Sequence, residues 1–482
     1  MLGIRATPRR SIRPVMIRVL TLLCAVLPWA AHAEPKPNIL VIFTDDHGYA
    51  DLGAQGVDRD IRTPNLDTLA REGVRFTNGY VSAPQCVPSR AGLLTGRYQQ
   101  RFGLEDNRQG GLPLSEQTIA ERLHAAGYVT GQVGKWHLDL PKAIGEHGER
   151  DRTPQLALMP QAHGFDEYWR GEMGQYVVSH ALDGHRFADA PHRLADDRFR
   201  IVVQTEAALS FLDRRRAKPE QPWFLYLAWF APHMPLESPE PWFSRTSAAL
   251  PLQRRQALAM IAAMDEGVGR LREKLRALGM ERRTLIFFIG DNGAPLRPKA
   301  WNGSLNRPLV GEKGMLTDGG TRTPFVAAWP GTLPAGKVYE RPVSSLDVAA
   351  TAVALAGLPH DPALDGVDLV PFMTGRNTGY PHEALFWRWR SQGAVRAGRW
   401  KFVLVGPDRR LLFDLDSAEG ENRDRLSEFP AVADDLQKKL MAWDRSLPAP
   451  HLPRGANRQD RAFFDPLVKP ADTGARPVAP AK

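Results

Sequence analysis

The sequence predicts an α/β protein: a mostly parallel sheet covered by helices on both faces, then a small antiparallel sheet with a helix. Three observations carry this. Three continuous apolar, β-rich runs occur at 38–44, 223–229 and 285–290. Strands that are apolar at every position suit a sheet buried on both faces. Segments with helical spacing separate these runs. Beyond about residue 375 the pattern changes to short strands with turn residues between them.

In chain order, the run 38–44 ends in Asp45-Asp46, and a helix is expected from Thr63-Pro64 onward. Residues 115–126 read as a helix with a capping box at Ser115, where Thr118 stands in place of the usual Glu or Gln. The run 223–229 stops just before His233. Residues 254–278 carry Leu258, Ile261, Met264, Val268 and Leu271 at helical spacing. The run 285–290 ends in Asp291-Asn292. Polar residues just past strand ends are where α/β sheets place their sites. Short strands follow at 384–387, 393–396, 400–404 and 411–415, then a helix at 430–447. From residue 453 the chain is rich in Pro, Arg and Ala and is expected to be poorly ordered. No internal repeat occurs.

Residues 1–33 have the three parts of a secretory signal: a basic start, an apolar stretch from 19 to 30, and the small-x-small site Ala31-His32-Ala33. Cleavage after Ala33 is expected, with a periplasmic or secreted location. The apolar stretch is shorter than the roughly 20 residues of a spanning helix, so no stable membrane anchor is expected. Arg9-Arg10 matches a twin-arginine signal only loosely. The formal charge of +9 includes five Arg from this segment, so the mature chain stands near +4. That is compatible with anionic substrates, and without a basic–aromatic cluster it gives no reason to expect nucleic acid. Of the two cysteines, Cys24 falls in the leader, so the mature chain cannot close an internal disulfide.

The remaining thiol opens the run Cys86-Val87-Pro88-Ser89-Arg90-Ala91-Gly92-Leu93-Leu94-Thr95-Gly96. A lone Cys is usually a small buried hydrophobe. Pro, Ser, Arg and Gly around this one make a poor core and a good site. Asp45-Asp46 and Asp291-Asn292 supply four hard oxygen donors from two strand ends, a set that selects Ca²⁺ or Mg²⁺ and leans to Ca²⁺. Ordinary strand-to-loop turns also use Asp, Asn and Gly. Both pairs together, with the cysteine run between them, favour a metal site.

The cysteine run resembles the maturation signature of the type I sulfatases, Cys-x-Pro-Ser-Arg followed by Leu-x-Thr-Gly. The resemblance spans roughly residues 36–445, with further motifs in the family's order: Gly134-Lys135-Trp136-His137, Pro232-His233-Met234-Pro235, and Lys313 ahead of Gly319-Gly320-Thr321-Arg322-Thr323-Pro324. It implies an alkaline-phosphatase-like α/β/α sandwich at 34–375, a C-terminal antiparallel subdomain at 376–452 and a tail at 453–482. It also implies a sulfuric ester hydrolase in which Cys86 is oxidised to formylglycine by a formylglycine-generating or sulfatase-maturating enzyme. A hydroxyl of the hydrate attacks sulfur, and the second hydroxyl provides the exit for sulfate. One Ca²⁺ per chain is implied, held by Asp45, Asp46, residue 86, Asp291 and Asn292.

By the same resemblance Lys135 and Lys313 clamp the sulfate, and Arg90 steadies the diol from one helical turn away. Asp291 accepts the nucleophile's proton, His137 takes the second hydroxyl proton, and His233 protonates the leaving alkoxide. Arg322 ranks below Lys313, with a structural role. Leu138-Asp139-Leu140 and Thr317 depart from the family's pattern. The expected substrate is a sulfated sugar or glycan, or an aryl sulfate. Segments 99–108, 173–185 and 295–306 are candidate pocket walls, with Trp169 and Trp301 as candidate sugar-stacking residues. Two alternatives stay open: a phosphonate monoester or phosphodiester hydrolase of the same superfamily, and a non-catalytic glycan-binding pseudo-sulfatase.

Overall fold

The computed structural model describes residues 1–3, 35–142, 153–407, 409–449, 460 and 464. The expected leader lies outside these apart from residues 1–3, and the expected tail apart from Asp460 and Phe464. Those two are buried, so the tail is anchored at both points.

A ten-stranded sheet forms the centre. Its strands are β1 (Asn38–Thr44), β2 (Val74–Phe76), β4 (Val129–Gly134), β5 (Glu167–Arg170), β6 (Gly174–Val178), β7 (His192–Asp196), β8 (Trp223–Ala228), β9 (Thr284–Gly290), β10 (Phe325–Ala328) and β11 (Lys337–Tyr339), in the order β11-β2-β10-β9-β1-β8-β4-β5-β6-β7. A two-residue strand, β3 (Gly79–Tyr80), pairs with β12 (Val343–Ser344) outside it. The five central strands β9-β1-β8-β4-β5 are parallel. Both flanks turn antiparallel, through β10 on one side and β6 and β7 on the other. The edge strand β11 again pairs in parallel with β2, so the sheet is mixed, with its longest parallel stretch in the middle.

Strand alternation divides the core into two layers. Ile39, Val41 and Phe43 of β1 face α2 (Cys86–Thr95), α3 (Ile119–Ala125) and α7 (Asp347–Leu355). Leu40 and Ile42 face α1 (Pro64–Arg71), α4 (Arg200–Arg214) and α5 (Leu252–Ala277). Every residue of β1, β8 and β9 is buried, as their unbroken apolar character requires. The helix expected at 115–126 is shorter: Thr118 caps it, its hydroxyl accepting from Glu121 N while Glu121 accepts from Thr118 N. The box is the regular Thr-x-x-Glu pattern one turn on from Ser115, because a threonine at 118 is too short to reach back as a glutamate does.

Two short helices, α6 (Asp318–Thr321) and α8 (Val370–Thr374), precede the C-terminal part. There, β13 (Leu385–Trp389), β14 (Gln392–Ala397), β15 (Trp400–Val405) and β16 (Arg409–Asp414) form an antiparallel meander. One face packs on α9 (Pro430–Arg445), and the other on Tyr80, Met315 and Leu316 of the larger part. His382, just before β13, reaches back to α7, with Nε2 2.8 Å from Asp347 Oδ1. Burial alone would lower the His382 pKa, but the Asp347 charge and hydrogen bond, helped by Asp365, raise it above the usual histidine value.

A folded-state pKa raised above its unfolded value gives stability that is complete below pH ~6.5 and is lost as pH rises through the folded value. His382→Gln is therefore expected to lower the melting temperature by roughly 2 °C or more at pH 6 and by less at pH 9. An equal loss at both pH values would refute the ion pair.

Candidate active site

The carboxyl ends of β1, β8, β4 and β9 converge on one spot, and each delivers polar residues. β1 delivers Asp45 and Asp46, β9 delivers Asp291 and Asn292, β4 leads into Lys135, and the loop after β8 carries His233. Asp45 pairs with Ala231 through Asp45 N→O 3.0 Å, and Asp291 N donates to Thr44 O at 2.9 Å, so the loop backbones continue the sheet. Gly134 has φ +92°, and a Cβ there would stand 2.1 Å from Ala228 O. Glycine is therefore required immediately before Lys135. Asp46 and His137 hold positive φ of 57° and 63°, strained backbone of the kind that clusters at functional sites.

Cys86 is the first residue of α2 and is buried. Its Sγ lies 3.3 Å from Asp45 Oδ1 and 3.1 Å from Lys313 Nζ. Lys313 Nζ is also 2.5 Å from Asp46 Oδ1. Lys135 Nζ pairs with Asp45 Oδ2 at 2.7 Å. Arg90, one turn along α2 and fully buried, pairs with Asp291 Oδ2 at 2.7 Å and lies 3.6 Å from Asp45 Oδ1. His233 Nε2 is 3.6 Å from Asp46 Oδ2. Its Nδ1 sits 2.6 Å from Met234 O, so Nδ1 carries a hydrogen, and in the neutral ring Nε2 is the free acceptor. The structure thus brings together Asp45, Asp46, Cys86, Arg90, Lys135, His233, Asp291, Asn292 and Lys313. His137 stands two residues past Lys135, half-buried, outside the group of ligating atoms.

Charge decides the electrostatics. Although burial opposes it, Lys135, His233 and Arg90 hold the Asp45 carboxyl well below the usual range. Burial and the Asp45 charge push Asp291 up to about 7, against the pull of Arg90 and Lys135. Burial pushes the Cys86 thiol up, with Asp291 adding to it. Burial lowers the His233 imidazole, opposed by Asp45 and Asp46.

The residues fit a hard cation. The ligating atoms of Asp45, Asp46, Cys86 and His233 lie within 4.8 Å of one another. Asn292 donates its Nδ2 to Asp46 Oδ1 at 2.6 Å, yet its buried Oδ1 has no hydrogen-bond partner. A buried amide oxygen without a donor is costly, and a cation would satisfy it. The oxygen-rich set suits Ca²⁺ or Mg²⁺ better than a metal that prefers imidazole.

Several supports escaped the sequence. Tyr226 on β8 places its hydroxyl 3.3 Å from Arg90. Asn302 donates to Asp46 O at 2.9 Å and to Pro232 O at 3.2 Å, joining the two loops that carry Asp46 and His233. Asn107 Oδ1 accepts from Val87 N at 2.9 Å at the start of α2. Phe230 and Arg200 underlie His233. An isolated Asn, Tyr or Arg in a loop, strand or helix gives no pattern to read. Asp139, in the departure after the Lys135 motif, is buried against Arg170 with bonds of 2.8 and 3.0 Å. Thr317, the other departure, is buried against Gly311. Trp169, expected as a possible stacking surface, is only 4% exposed and packs on Tyr176 in the core. Trp301 is half-buried and donates to Ser304 O. Arg322 binds Thr77 O and Asp318, a structural role.

Comparison with known proteins agrees with this geometry. The sulfatase family model matches residues 37–358. N-acetylgalactosamine-6-sulfatase of Canis lupus familiaris is 36% identical over 414 residues, covering 80% of this chain and 74% of that protein. Arylsulfatase A of Homo sapiens is 36% identical over 470 residues, covering 87% and 89%. The solved structure of Ps i-CgsB with k-i-k-neocarrahexaose superposes with a TM-score of 0.74 at 29% identity, covering 90% of this chain and 98% of that one. The alkaline-phosphatase-like fold, the strand-end cluster and these likenesses lead to one conclusion: the chain belongs to the sulfatase family of hydrolases.

Proposed function

We propose that the protein hydrolyses sulfate esters of sugars, with a nucleophile derived from Cys86 and one Ca²⁺ ion. The carrying observation is the convergence of Lys313, Lys135, Arg90 and three carboxylates around residue 86 at the start of a buried helix. One relative is named for N-acetylgalactosamine 6-sulfate removal, and the Ps i-CgsB structure holds a neocarrahexaose, which supports a sugar substrate.

The thiol must first be converted. Its CH₂SH group takes up water oxygen, releases hydrogen sulfide and gives two electrons and two protons to the oxidant of a separate maturating enzyme. The resulting aldehyde, once hydrated, supplies one hydroxyl as nucleophile toward sulfur and a second whose deprotonation frees sulfate. Asp45, Asp46, Asp291 and Asn292, with residue 86, would hold Ca²⁺. The bound ion supplies positive charge that lowers a hydroxyl pKa and draws charge from a sulfate oxygen.

The other side chains do the binding and proton transfer. Lys135 and Lys313 bind the sulfate oxygens and stabilise their developing charge. Arg90 holds Asp291 in place to accept the proton of the attacking hydroxyl. His233, whose Nδ1–H donates to Met234 O, presents Nε2 to the leaving oxygen and, as the imidazolium with both ring nitrogens protonated, gives its Nε2 proton to the alkoxide. His137 receives the proton of the second hydroxyl. Export through the leader at 1–33 would place this activity in the periplasm or outside the cell. No helix among the described residues is long and apolar enough to cross a membrane.

Mass spectrometry of the tryptic peptide 76–90 from protein made in its native host is expected to show the mass loss of thiol-to-aldehyde conversion. An intact thiol throughout would sink the nucleophile. Cys86→Ser is expected to keep its melting temperature and to lose turnover of 4-nitrophenyl sulfate by at least about 1,000-fold. Faster turnover of bis(4-nitrophenyl) phosphate by the unsubstituted enzyme would move the assignment to phosphodiesters.

Dialysis against EGTA is expected to lower both activity and melting temperature. At 100 times its dissociation constant, Ca²⁺ should return about 2.7 kcal/mol of stability. A melting temperature indifferent to chelation and to added Ca²⁺ would exclude the ion from the site.

A further inference from the structure

Phe230 is the last residue but two before His233, and its ring touches three groups at once. The His233 ring stacks on it at 4.7 Å between centroids and 29° between planes. Lys135 Nζ lies 5.0 Å from the same centroid, and the Arg200 guanidinium carbon 4.7 Å. Phe230 is 5% exposed and Arg200 is 1% exposed, so these are interior contacts. Cations over an aromatic face are attracted by its quadrupole, more strongly where water is excluded.

Arg200 binds the same loop by its backbone. Its Nη2 donates to His233 O at 3.2 Å and to Pro235 O, while Nε lies 2.9 Å from Glu237. Gln204, one turn further along α4, accepts from Phe230 N at 3.3 Å and donates to Gly171 O and Glu172 O at 3.2 and 3.1 Å. One helix face therefore holds the His233 loop, and Phe230 links that loop to the lysine after β4. Burying an arginine needs such compensation, because an uncompensated buried charge is costly.

We propose that Phe230 and Arg200 are positioning residues for sulfate ester cleavage: together they fix the direction of His233 Nε2 toward the leaving oxygen and the height of Lys135 in the sulfate site. This rests on the reading of His233 as the proton donor. A proton donor matters most when the leaving alkoxide is basic and least when it is already stable. Loss of aim should therefore cost little on a good leaving group and much on a poor one.

The test compares 4-nitrophenyl sulfate with phenyl sulfate on the converted, Ca²⁺-loaded enzyme. Phe230→Leu is expected to lower kcat on phenyl sulfate about tenfold or more and on 4-nitrophenyl sulfate by less than about threefold. KM should rise on both substrates as Lys135 loses its platform. Phe230→Tyr, which keeps the ring, should restore both. Arg200→Lys, which keeps the charge but not the fork of donors, should show the same selective loss, and it carries the test if Phe230→Leu does not fold. Equal losses on the two esters, or none, in variants with unchanged melting temperature would overturn the proposal. His233→Gln separates the two levels of inference. If it lacks leaving-group selectivity, the proton-donor reading fails with it. If it has selectivity and the Phe230 and Arg200 variants lack it, the positioning proposal alone fails.

Discussion

Three carboxylates and two cations, Arg90 and Lys135, are buried within a few ångströms of residue 86, with Lys313 half-buried beside them, and the rest of the architecture follows from having to hold them there. The side chains of Asp45, Asp46 and Asp291 are at most 4% exposed, and Arg90 and Lys135 are equally hidden. Removing such ions from water costs several kcal/mol each, so no member is tolerable without its partners. The arrangement is consequently rigid: each cation touches a carboxylate, and Arg90 and Lys135 both reach Asp45. A tetrahedral anion entering this place meets donors already oriented. A cation entering meets oxygens already gathered, with the orphaned Asn292 Oδ1 among them. Preorganisation of this sort is the main source of electrostatic catalysis, because the reorganisation cost is met on folding.

Parallel strands make the gathering possible. β9, β1, β8 and β4 lie side by side and point the same way, so their terminal loops must meet at one edge. Four segments far apart in sequence are thereby brought together without long loops. The strands themselves are mostly apolar and buried in both layers, and Tyr226 sends its hydroxyl to Arg90 from inside β8. Helix α2 delivers residue 86 from the facing layer. Its N-terminus brings partial positive charge to the place where a sulfate would sit, adding to the lysines.

The parts legible in the sequence were those written as local pattern. The unbroken apolar runs located β1, β8 and β9, because full burial on both faces leaves no polar position to break them. The paired Asp-Asp and Asp-Asn after two of these runs located the acidic cluster. The antiparallel ribbon of β5 to β7 was not legible, since only five of its fourteen residues are buried and β7 alternates partly exposed with exposed positions. Trp169 looked like a surface for sugar because bulk and polarity in an aromatic residue do not reveal its direction; β5 turns it inward onto Tyr176. Asn302, Arg200 and Asn107 act through long-range hydrogen bonds, and such bonds leave no spacing in the chain. The capping box was expected one turn too early, at Ser115; the glutamate that closes a box is Glu121, three residues after Thr118.

The smaller sheet has a physical part in the site as well. Gln392, at the start of β14, donates Nε2 to Gly314 O at 3.0 Å and accepts from Leu316 N at 2.9 Å, so it grips the loop immediately after Lys313 from both sides. Gly314 N in turn donates to Pro84 O at 3.0 Å, two residues before Cys86. The same Gln392 donates to Asp460 at 2.9 Å, and Phe464 packs among Met315, Leu316 and Trp389. Below this, Lys401 of β15 is fully buried between Asp318 and Glu421, at 2.7 and 3.0 Å, where α6 begins. A lysine lacking those partners could not stay charged in that position. The loop that presents Lys313 is thus clamped by hydrogen bonds to the meander and anchored by a buried ion pair beneath it. A lysine on a mobile loop would spend its affinity for the sulfate on ordering that loop. Here the ordering is built in by the second sheet, and the chemistry of the strand-end cluster depends on an element that supplies none of its reacting groups.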